Sequence, residues 1–422
     1  METRALIDLT SLKLKVTALV IIFMSFPFLS GATNIQPGVI ITKDNFSQYS
    51  SSLKELLIPG YYQHIIEGGA LRRGDITIPV VEPNKRKYQP PPGFRKASRK
   101  NLKESRCSIG PGNQLLGYID GLPFPDPQNA TQLAWNVFHR RAGVEDKEFP
   151  ADFRLFNSEG KQERYLSWHL WKKMWIGRTD IPPIPEIPGN NNILDSKESI
   201  IIDRPHDVKG FCLIRIRYVD IKKTDDCYSY IPALRRIRRL TGSDLTDPLL
   251  GSDCIPDDFE SWRQKINPKM TFQILGIKKF LVPRHYTTEE LSPIRGKRSP
   301  GYIAGTCFQV EWEIRPLQVL EINLNDPDYP YQKRLIYVET EEDTAALYGG
   351  DNYDHRGRLS RTNAIYIVYF NPLTLYPMMS GNVYRNIITG HSTMLDMYPV
   401  LGPELNVPLE VFTIRGLLKI AR

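Results

Sequence analysis

Four arginines fall within five positions of the stretch YIPALRRIRRL, which runs from Tyr230 to Leu240: Arg235, Arg236, Arg238 and Arg239. Guanidinium groups bind carboxylate and phosphate groups through paired hydrogen bonds. Alternate residues of a strand point to opposite faces, so a strand through this stretch would place positive charge on both faces of a sheet. A hydrophobic core cannot accept that charge. The sequence therefore predicts a basic rim on a sheet, which binds an anionic head group or an acidic protein partner.

The alternative role of these arginines is structural. Acidic residues follow in the sequence and could pair with the arginines locally: Asp244, Asp247, Asp253, Asp257, Asp258 and Glu260. Surface ion pairs contribute little to stability, so stability alone is a weak reason for four neighbouring arginines. Both interpretations stay open at the level of the sequence.

Aromatic residues supply a second set of candidate contacts. They recur in stretches of alternating apolar and polar residues, and five of them are candidates for the lining of a cavity: Trp168, Trp171, Trp175, Tyr230 and Trp312. Ligand sites in proteins are lined mainly by apolar and aromatic side chains. The alternative is that these side chains simply form the hydrophobic core.

No common catalytic motif occurs in the chain. The sequence lacks the phosphate-binding loops GxGxxG and GxxxxGK[ST], the nucleophile motif GxSxG and the zinc-protease motif HExxH. Its seven histidines are scattered, and none has the spacing of a metal ligand pair. We therefore predict a protein that is not an enzyme and uses neither a cofactor nor a metal. A hydrolase of an envelope polymer is the enzymatic alternative, and it would need a cluster of His and carboxylate groups assembled by the fold.

The N-terminus indicates the compartment in which these groups work. A basic leader, the apolar run VTALVIIFMSFPFL and the small residues Ser30 and Ala32 form the pattern of a cleaved signal peptide over residues 1–32. An uncleaved membrane anchor is the alternative, but a spanning helix needs about 20 apolar residues. We expect an exported protein, so nucleic acid is not the expected partner despite a net charge of +8. Export also permits disulfide bonds, and Cys227 with Cys254 is one possible pair among the five cysteines.

The remaining chain divides into an arm and a body. Residues 33–104 are basic and rich in proline, and we predict an arm with one short helix and a linker-like stretch over residues 82–103. In residues 105–422 a helix from Ala130 to Arg140 precedes a series of alternating runs joined by turns. The first two runs flank the turn Asn157 to Gly160, which predicts a hairpin. A series of such hairpins predicts a single body built on one large, curved antiparallel sheet.

Several stretches occur in the order found in a known family. They are ITKDNFSQYSSSLKELLIPG, GLPFPDP with the following AWNVFHRR, GRTDIPP, YIPALRRIRRL, YPYQKRLIYVETE with the downstream YDHRGRL, and ITGHST. Through them the chain resembles the domain of unknown function 1329 (DUF1329) family, which comprises exported bacterial proteins similar to the periplasmic lipoprotein carriers of the Lol system. One stretch departs from the family pattern, because GSDCIPDDFE, from Gly251 to Glu260, stands where an aromatic-rich sequence is usual.

The resemblance implies a mainly β protein with short helices (α+β), in which a large curved antiparallel sheet or half-barrel wraps around helices, as in the Lol carriers. Its apolar concave face would hold a lipid or another hydrophobic molecule in the periplasm. Outer-membrane proteins or exporters of the envelope are the implied partners, and no catalytic residue is implied. The alternative function is an envelope assembly or interaction protein that docks a protein partner through its basic rim, without small-molecule cargo.

Overall fold

Strands dominate the computed structural model, which describes residues 34–83, 90–140, 145–240, 246–284, 286–287, 302–303, 307–340, 345–370, 377–398 and 407–420. The predicted signal peptide lies outside these residues. The strands are β1 (Ile40–Ile41), β2 (Ile78–Pro79), β3 (Ser108–Ile109), β4 (Leu115–Leu116), β5 (Asp146–Phe156), β6 (Gln162–Met174), β7 (Leu194–Arg204), β8 (Cys212–Tyr218), β9 (Asp226–Ile231), β10 (Arg236–Leu240), β11 (Thr271–Pro283), β12 (Tyr286–Thr287), β13 (Tyr302–Ile303), β14 (Cys307–Phe308), β15 (Trp312–Asn323), β16 (Lys333–Glu339), β17 (Leu347–Tyr353), β18 (Leu359–Phe370), β19 (Pro377–Asn386) and β20 (Ser392–Met397).

In the parts of the chain that the structure describes, helices are short and few. They are α1 (Ser50–Leu56), α2 (Pro59–Tyr62), α3 (Ala70–Arg73), α4 (Pro92–Glu104), α5 (Ala130–Phe138) and α6 (Ile414–Ile420). Within the described ranges, none of these helices has the length and apolar character needed to cross a membrane.

Most of the long strands belong to one sheet. Its order is β10-β9-β8-β7-β6-β5-β20-β19-β18-β17-β16-β15-β11, and each neighbouring pair is antiparallel. The short strand β12 adds a parallel contact to β18. Hairpins make most of these pairings, as the alternating sequence predicts, whereas the pairing of β5 with β20 joins distant parts of the chain. The predicted hairpin around residues 157–160 is present as β5 and β6.

The sheet curves strongly around α5. This helix contacts β11 and β15 at one end of the sheet, and its Phe138 ring lies 5.5 Å from the guanidinium of Arg217 on β8, near the other end. In a flat sheet β8 and β15 would be about 43 Å apart, at roughly 4.8 Å per strand spacing. A helix of this length spans only about 14 Å. The prediction of a large curved antiparallel sheet around helices is therefore confirmed.

Both faces of the sheet carry clusters of buried side chains, although the edge strand β10 is exposed. On the inner face, side chains of β5–β8 and β15–β20 form one core cluster with α5, including Phe153, Trp168 and Ile322. On the outer face, α1–α3 pack against β11 and β15–β20 in a second cluster. The C-terminal segment from Val407 to Ile414 covers the outer face of β6–β8 in a third cluster. Strand alternation sends successive residues of one strand into different clusters.

Helix α5 matches the helix predicted from the sequence. The Asn129 side chain accepts a hydrogen bond of 3.0 Å from the amide of Gln132 and caps the helix. Asn136 donates to the carbonyl of Phe124 and accepts from its amide at 3.0 Å, which holds the proline-rich turn against the helix. These contacts fix α5 within the concave face.

Residues 92–104 correct the sequence-based interpretation, because they form α4 rather than a linker. A proline suits the first turn of a helix, and the Asp180 carboxylate accepts hydrogen bonds from the amides of Gly93 (2.8 Å) and Phe94 (3.1 Å). The buried residues have helical spacing: Phe94, Ala97, Ser98 and Asn101. A narrow apolar stripe among many basic residues concealed this helix in the sequence.

The cysteines also correct an expectation. All five are free thiols, so Cys227 and Cys254 do not form a disulfide. Cys227 lies on β9, and burial raises the pKa of its thiol to about 12. Cys254 is buried in the segment that follows β10.

Candidate functional site

The four predicted arginines lie on the β9–β10 hairpin, at the edge of the sheet. Arg235 adopts a left-handed backbone conformation (φ 50°) in the turn, and all four side chains are exposed. Arg239 donates a hydrogen bond of 2.5 Å to Asp226 on β9. Leu234 and Ile237 in the same hairpin are 61% and 52% exposed, so the rim presents both charge and apolar surface.

The acidic residues downstream of the rim largely bind other partners. Asp257 accepts a hydrogen bond from Arg215 (3.0 Å), and Asp258 accepts one from Arg334 (2.5 Å). Asp253 pairs with His391 (2.6 Å). For these three carboxylates, the predicted alternative of local pairing with the rim arginines is wrong. Asp244 lies outside the described residues.

The five aromatic side chains proposed as a cavity lining are distributed among three clusters. Trp168 is buried in the inner-face cluster, and Trp312 is buried beneath the N-terminal helices on the outer face. Trp171 and Trp175 lie in the cluster under the C-terminal segment, and Tyr230 packs against the same cluster. Trp168 and Trp171 separate because three residues along a strand reverse the direction of the side chain.

Residues 246–270 form what we call the covering segment, which lies across the concave face. It consists of loops and short 3₁₀ turns, including Leu249–Gly251 and Pro256–Ser261. Five of its apolar residues are almost completely buried: Cys254, Ile255, Trp262, Ile266 and Met270. Because its neighbouring residues Asp257 and Asp258 pair with β8 and β16 respectively, the segment connects opposite sides of the curved sheet.

One end of the covering segment is anchored at β20. The Asp253 amide donates to Thr393 Oγ1 (2.9 Å), and the Thr393 hydroxyl donates to Asp253 Oδ2 (2.8 Å). The hydrogen bond to the same carboxylate raises the pKa of His391 above its usual value. Both His391 and Thr393 bind Asp253, so this group of side chains serves to attach the segment.

A cavity of about 60 Å³, which we call the inner cavity, lies between the covering segment and β5–β8. Its apolar wall is formed by side chains from both sides: Phe149, Leu170, Ile200, Leu213, Leu249 and Phe259. Its polar wall carries both cations and carboxylates: Lys147, Lys172, Arg215, Arg263, Glu198 and Glu260. The inner cavity therefore has an apolar surface beside an excess of positive charge.

A second cavity, of about 350 Å³, lies between the β8–β10 end of the sheet and the covering segment. We call it the outer cavity. Its charged residues are Arg215, Lys223, Asp225, Arg239, Asp257 and Lys265. Arg215 lines both cavities, and Arg239 of the rim reaches only the outer one.

A further cavity, of about 270 Å³, lies at the C-terminal end of α5. Aromatic residues such as Trp135 and Phe138 line it together with Asp195, Asp220 and Lys265. The wall is mixed, so it is less suited to a hydrocarbon chain than the wall of the inner cavity.

Sequence reasoning missed the cations of the inner face. Leu213, Arg215 and Arg217 alternate along β8 on one face, while Cys212 and Ile214 occupy the other. In the sequence such a strand is typical of a half-exposed sheet with its charges in water. The available signal was that the opposite face is continuously apolar and the charged face includes Leu213. The covering segment and the end of α5 together explain why Arg215 and Arg217 are buried.

Comparisons with known proteins identify the family of the chain. A family model described as "Protein of unknown function (DUF1329)" matches residues 40–409. An uncharacterized protein of Pseudomonas aeruginosa is 23% identical over 377 residues, which cover 85% of this chain and 76% of that protein.

Two solved structures have a similar chain path. A DUF1329 family protein from Desulfovibrio piger is 16% identical, with a TM-score of 0.46 over 65% of this chain and 92% of that chain. A LolA superfamily protein from Nitrosomonas europaea is 14% identical, with a TM-score of 0.42 over 68% of this chain and 99% of that chain. Neither score reaches 0.5.

Proposed function

The chain belongs to the DUF1329 family, whose description assigns no function, and from the geometry of its own concave face we propose that it binds a lipid or another hydrophobic molecule. The predicted signal peptide supports a periplasmic location, and a carrier working with an envelope export system is the role that we propose there.

The observation that carries this proposal is the apolar wall of the inner cavity. Phe149, Leu170, Ile200 and Leu213 come from the four adjacent strands β5–β8, and Leu249 and Phe259 come from the covering segment. A hydrocarbon chain between these two surfaces would be removed from water on both sides. Such burial contributes about 0.8 kcal/mol per methylene, so ten methylenes would contribute roughly 8 kcal/mol before the cost of ordering.

Native mass spectrometry of the exported protein tests the proposal. We expect a co-purifying species of lipid mass that organic extraction removes. In Leu249→Gln a polar amide replaces part of the apolar wall, so we expect a lower fraction of loaded protein. Leu102→Gln is the matched control, because Leu102 is 55% exposed on α4. Protein that carries no ligand after expression in its native envelope would contradict the proposal.

Docking of a protein partner through the rim remains the second candidate function, because Arg235, Arg236 and Ile237 are exposed together on the edge strand and its turn. The same experiment separates the two functions. Replacing Arg235 and Arg236 with Ser should leave the loaded fraction unchanged, since neither lines the inner cavity. Docking would be favoured instead if wild-type protein carries no ligand but captures an envelope protein, and the double variant fails to capture it.

A further inference from the structure

Seven cationic side chains gather on the inner face between α5, β5–β8 and the covering segment. We call them the basic cluster: Arg140, Lys147, Lys172, Arg215, Arg217, Arg263 and Lys265. Their relative exposures as side chains are low, between 4% for Arg140 and 14% for Arg263. These charges are therefore largely removed from water.

Carboxylates compensate the basic cluster only in part. Among the residues that the structure describes, four carboxylates pair with it within 4.0 Å: Glu198, Asp225, Asp257 and Glu260. Asp195 is buried in a cavity wall beside it, and Asp220 shares a cavity wall with Lys265 but is exposed to water. Several of these acids serve more than one cation, since Asp225 pairs with Arg215 at 2.8 Å and with Arg217 at 3.1 Å. Seven cations facing the five carboxylates that are not exposed leave a surplus of two positive charges.

The cations of the cluster lower the pKa values of its carboxylates. Burial by itself would raise the pKa of Glu198, but Lys172, Arg217 and Arg215 hold it at about 2. Burial likewise acts to raise the pKa of Asp225, and Arg217 and Arg215 bring it below its usual value. Burying a surplus of like charge costs free energy unless an opposite charge joins it. The surplus positive charge of the cluster would therefore be compensated by a bound anion.

The position of the cluster specifies what that anion is attached to. Lys172, Arg215 and Arg263 belong to the polar wall of the inner cavity, directly beside the apolar wall. Arg215 also lines the outer cavity, whose volume of about 350 Å³ can accommodate a compact head group. Apolar surface and buried positive charge thus meet at Arg215.

We propose that the ligand is an anionic amphiphile, whose carboxylate or phosphate group lies against Arg215 and the basic cluster while its hydrocarbon tail occupies the inner cavity. This inference rests on the proposed function and adds the charge of the head group to it. Guanidinium groups suit both head groups, because either can accept paired hydrogen bonds.

Isothermal titration of full-length mature protein, freed of ligand, tests the proposal with three compounds of equal chain length. Dodecyl phosphate and dodecanoate should each bind at least tenfold more tightly than dodecanol, since charged hydrogen bonds are worth about 1.5–3 kcal/mol. A difference between the two anions would identify the preferred head group. Equal affinity for all three would overturn the charge inference and leave the proposed function intact. Failure of all three to bind would instead count against the proposed function.

Inorganic phosphate, titrated alone, examines the role of the tail. We expect binding at least tenfold weaker than that of dodecyl phosphate. Equal affinity for both would overturn the proposal, because the cluster would then be a site for a free anion.

Variants locate the head group. Arg263→Gln removes one cation of the polar wall, so it should weaken dodecyl phosphate binding by about tenfold and change dodecanol binding little. Arg164→Gln is the matched control, since Arg164 pairs at the surface with Asp207. An equal loss for both compounds in Arg263→Gln would indicate general damage to the site and contradict the assignment. The comparison of ligands on the wild-type protein decides the question if this variant does not fold.

Discussion

Asp351 is a carboxyl group buried completely on β17, beneath the N-terminal helices. Its Oδ2 accepts a hydrogen bond of 2.7 Å from the hydroxyl of Tyr337. Burial raises its pKa to about 7, although the bond from Tyr337 acts in the opposite direction. The folded protein therefore favours the protonated acid, whereas the unfolded chain ionises near pH 4.

This pKa predicts how stability depends on pH. Between about pH 4 and pH 7 the folded state binds more protons than the unfolded state, so stability falls as the pH rises through this range. Asp351→Asn has no proton to lose, and we expect a smaller decrease in its free energy of unfolding from pH 5 to pH 8. Urea unfolding at both pH values measures the difference between variant and wild type, which cancels the contributions of His64 and His391.

Asp207→Asn provides the control for this measurement, because the side chain of Asp207 is 65% exposed. It should follow the wild-type dependence on pH. The same decrease from pH 5 to pH 8 in Asp351→Asn and wild type would show that Asp351 does not titrate in this range.

At the scale of elements, the covering segment depends on a buried ion pair. Arg334 on β16 is fully buried and donates to Asp258 (2.5 Å) and Asn352 (2.8 Å). Its guanidinium also lies 4.7 Å from the ring of Tyr331. Removal of either charge would leave the other buried without its ionic partner, which is far more costly than loss of a surface pair.

We therefore expect Arg334→Met to lower the free energy of unfolding by about 3–5 kcal/mol. Arg358→Met is the matched control, since Arg358 is exposed and pairs with Asp354 at 2.7 Å. Its loss should cost less than about 1 kcal/mol. Chemical denaturation of both variants gives the comparison, and similar values for the two would refute the anchoring role of Arg334.

The two edge strands of the large sheet share a feature that concerns the rim arginines. β10 carries exposed Arg236 and Arg238, and β11 at the opposite edge carries exposed Lys278 and Lys279. Positive charge on both edges opposes edge-to-edge pairing between two copies of the chain. Part of the basic surface is therefore explained by the exposure of the sheet edges, whatever else the rim binds.

At the scale of the whole molecule, the size of the inner cavity determines how a ligand could enter. Its volume of about 60 Å³ is far below the roughly 300 Å³ at which typical ligand sites begin. A hydrocarbon chain of ten or more carbons can enter only if the covering segment moves away from β5–β8. The proposed function thus requires a conformational change in residues 246–270.

Hydrogen exchange can detect this change. On saturation with dodecyl phosphate, we expect altered amide exchange in residues 249–263 and unchanged exchange in α1 and α3, which pack on the outer face of the sheet. Mass spectrometry of peptides from free and saturated protein measures it. Binding of the ligand without any change in residues 249–263 would exclude movement of the covering segment as the route of entry.

Local patterns in the sequence determined much of the architecture. Apolar alternation and turn residues predicted the strands of the sheet, and the helical spacing of Leu133, Ala134 and Val137 predicted α5. Exposure of Arg235 and Arg236 also followed from the sequence, since a strand with charge on both faces cannot enter a core. These properties depend on neighbours within a few positions of the chain.

Only the tertiary structure decided which charged residues are buried and with what partners. Arg215 and Asp257 are 42 positions apart, and Arg334 and Asp258 are 76 positions apart, so no local pattern could connect them. The sequence placed Arg215 on one face of a strand, but it did not show whether that face is exposed to solvent or packed against protein. Curvature of the sheet brought the covering segment onto it. The basic cluster and the inner cavity exist because side chains distant in sequence exclude water from the same concave surface.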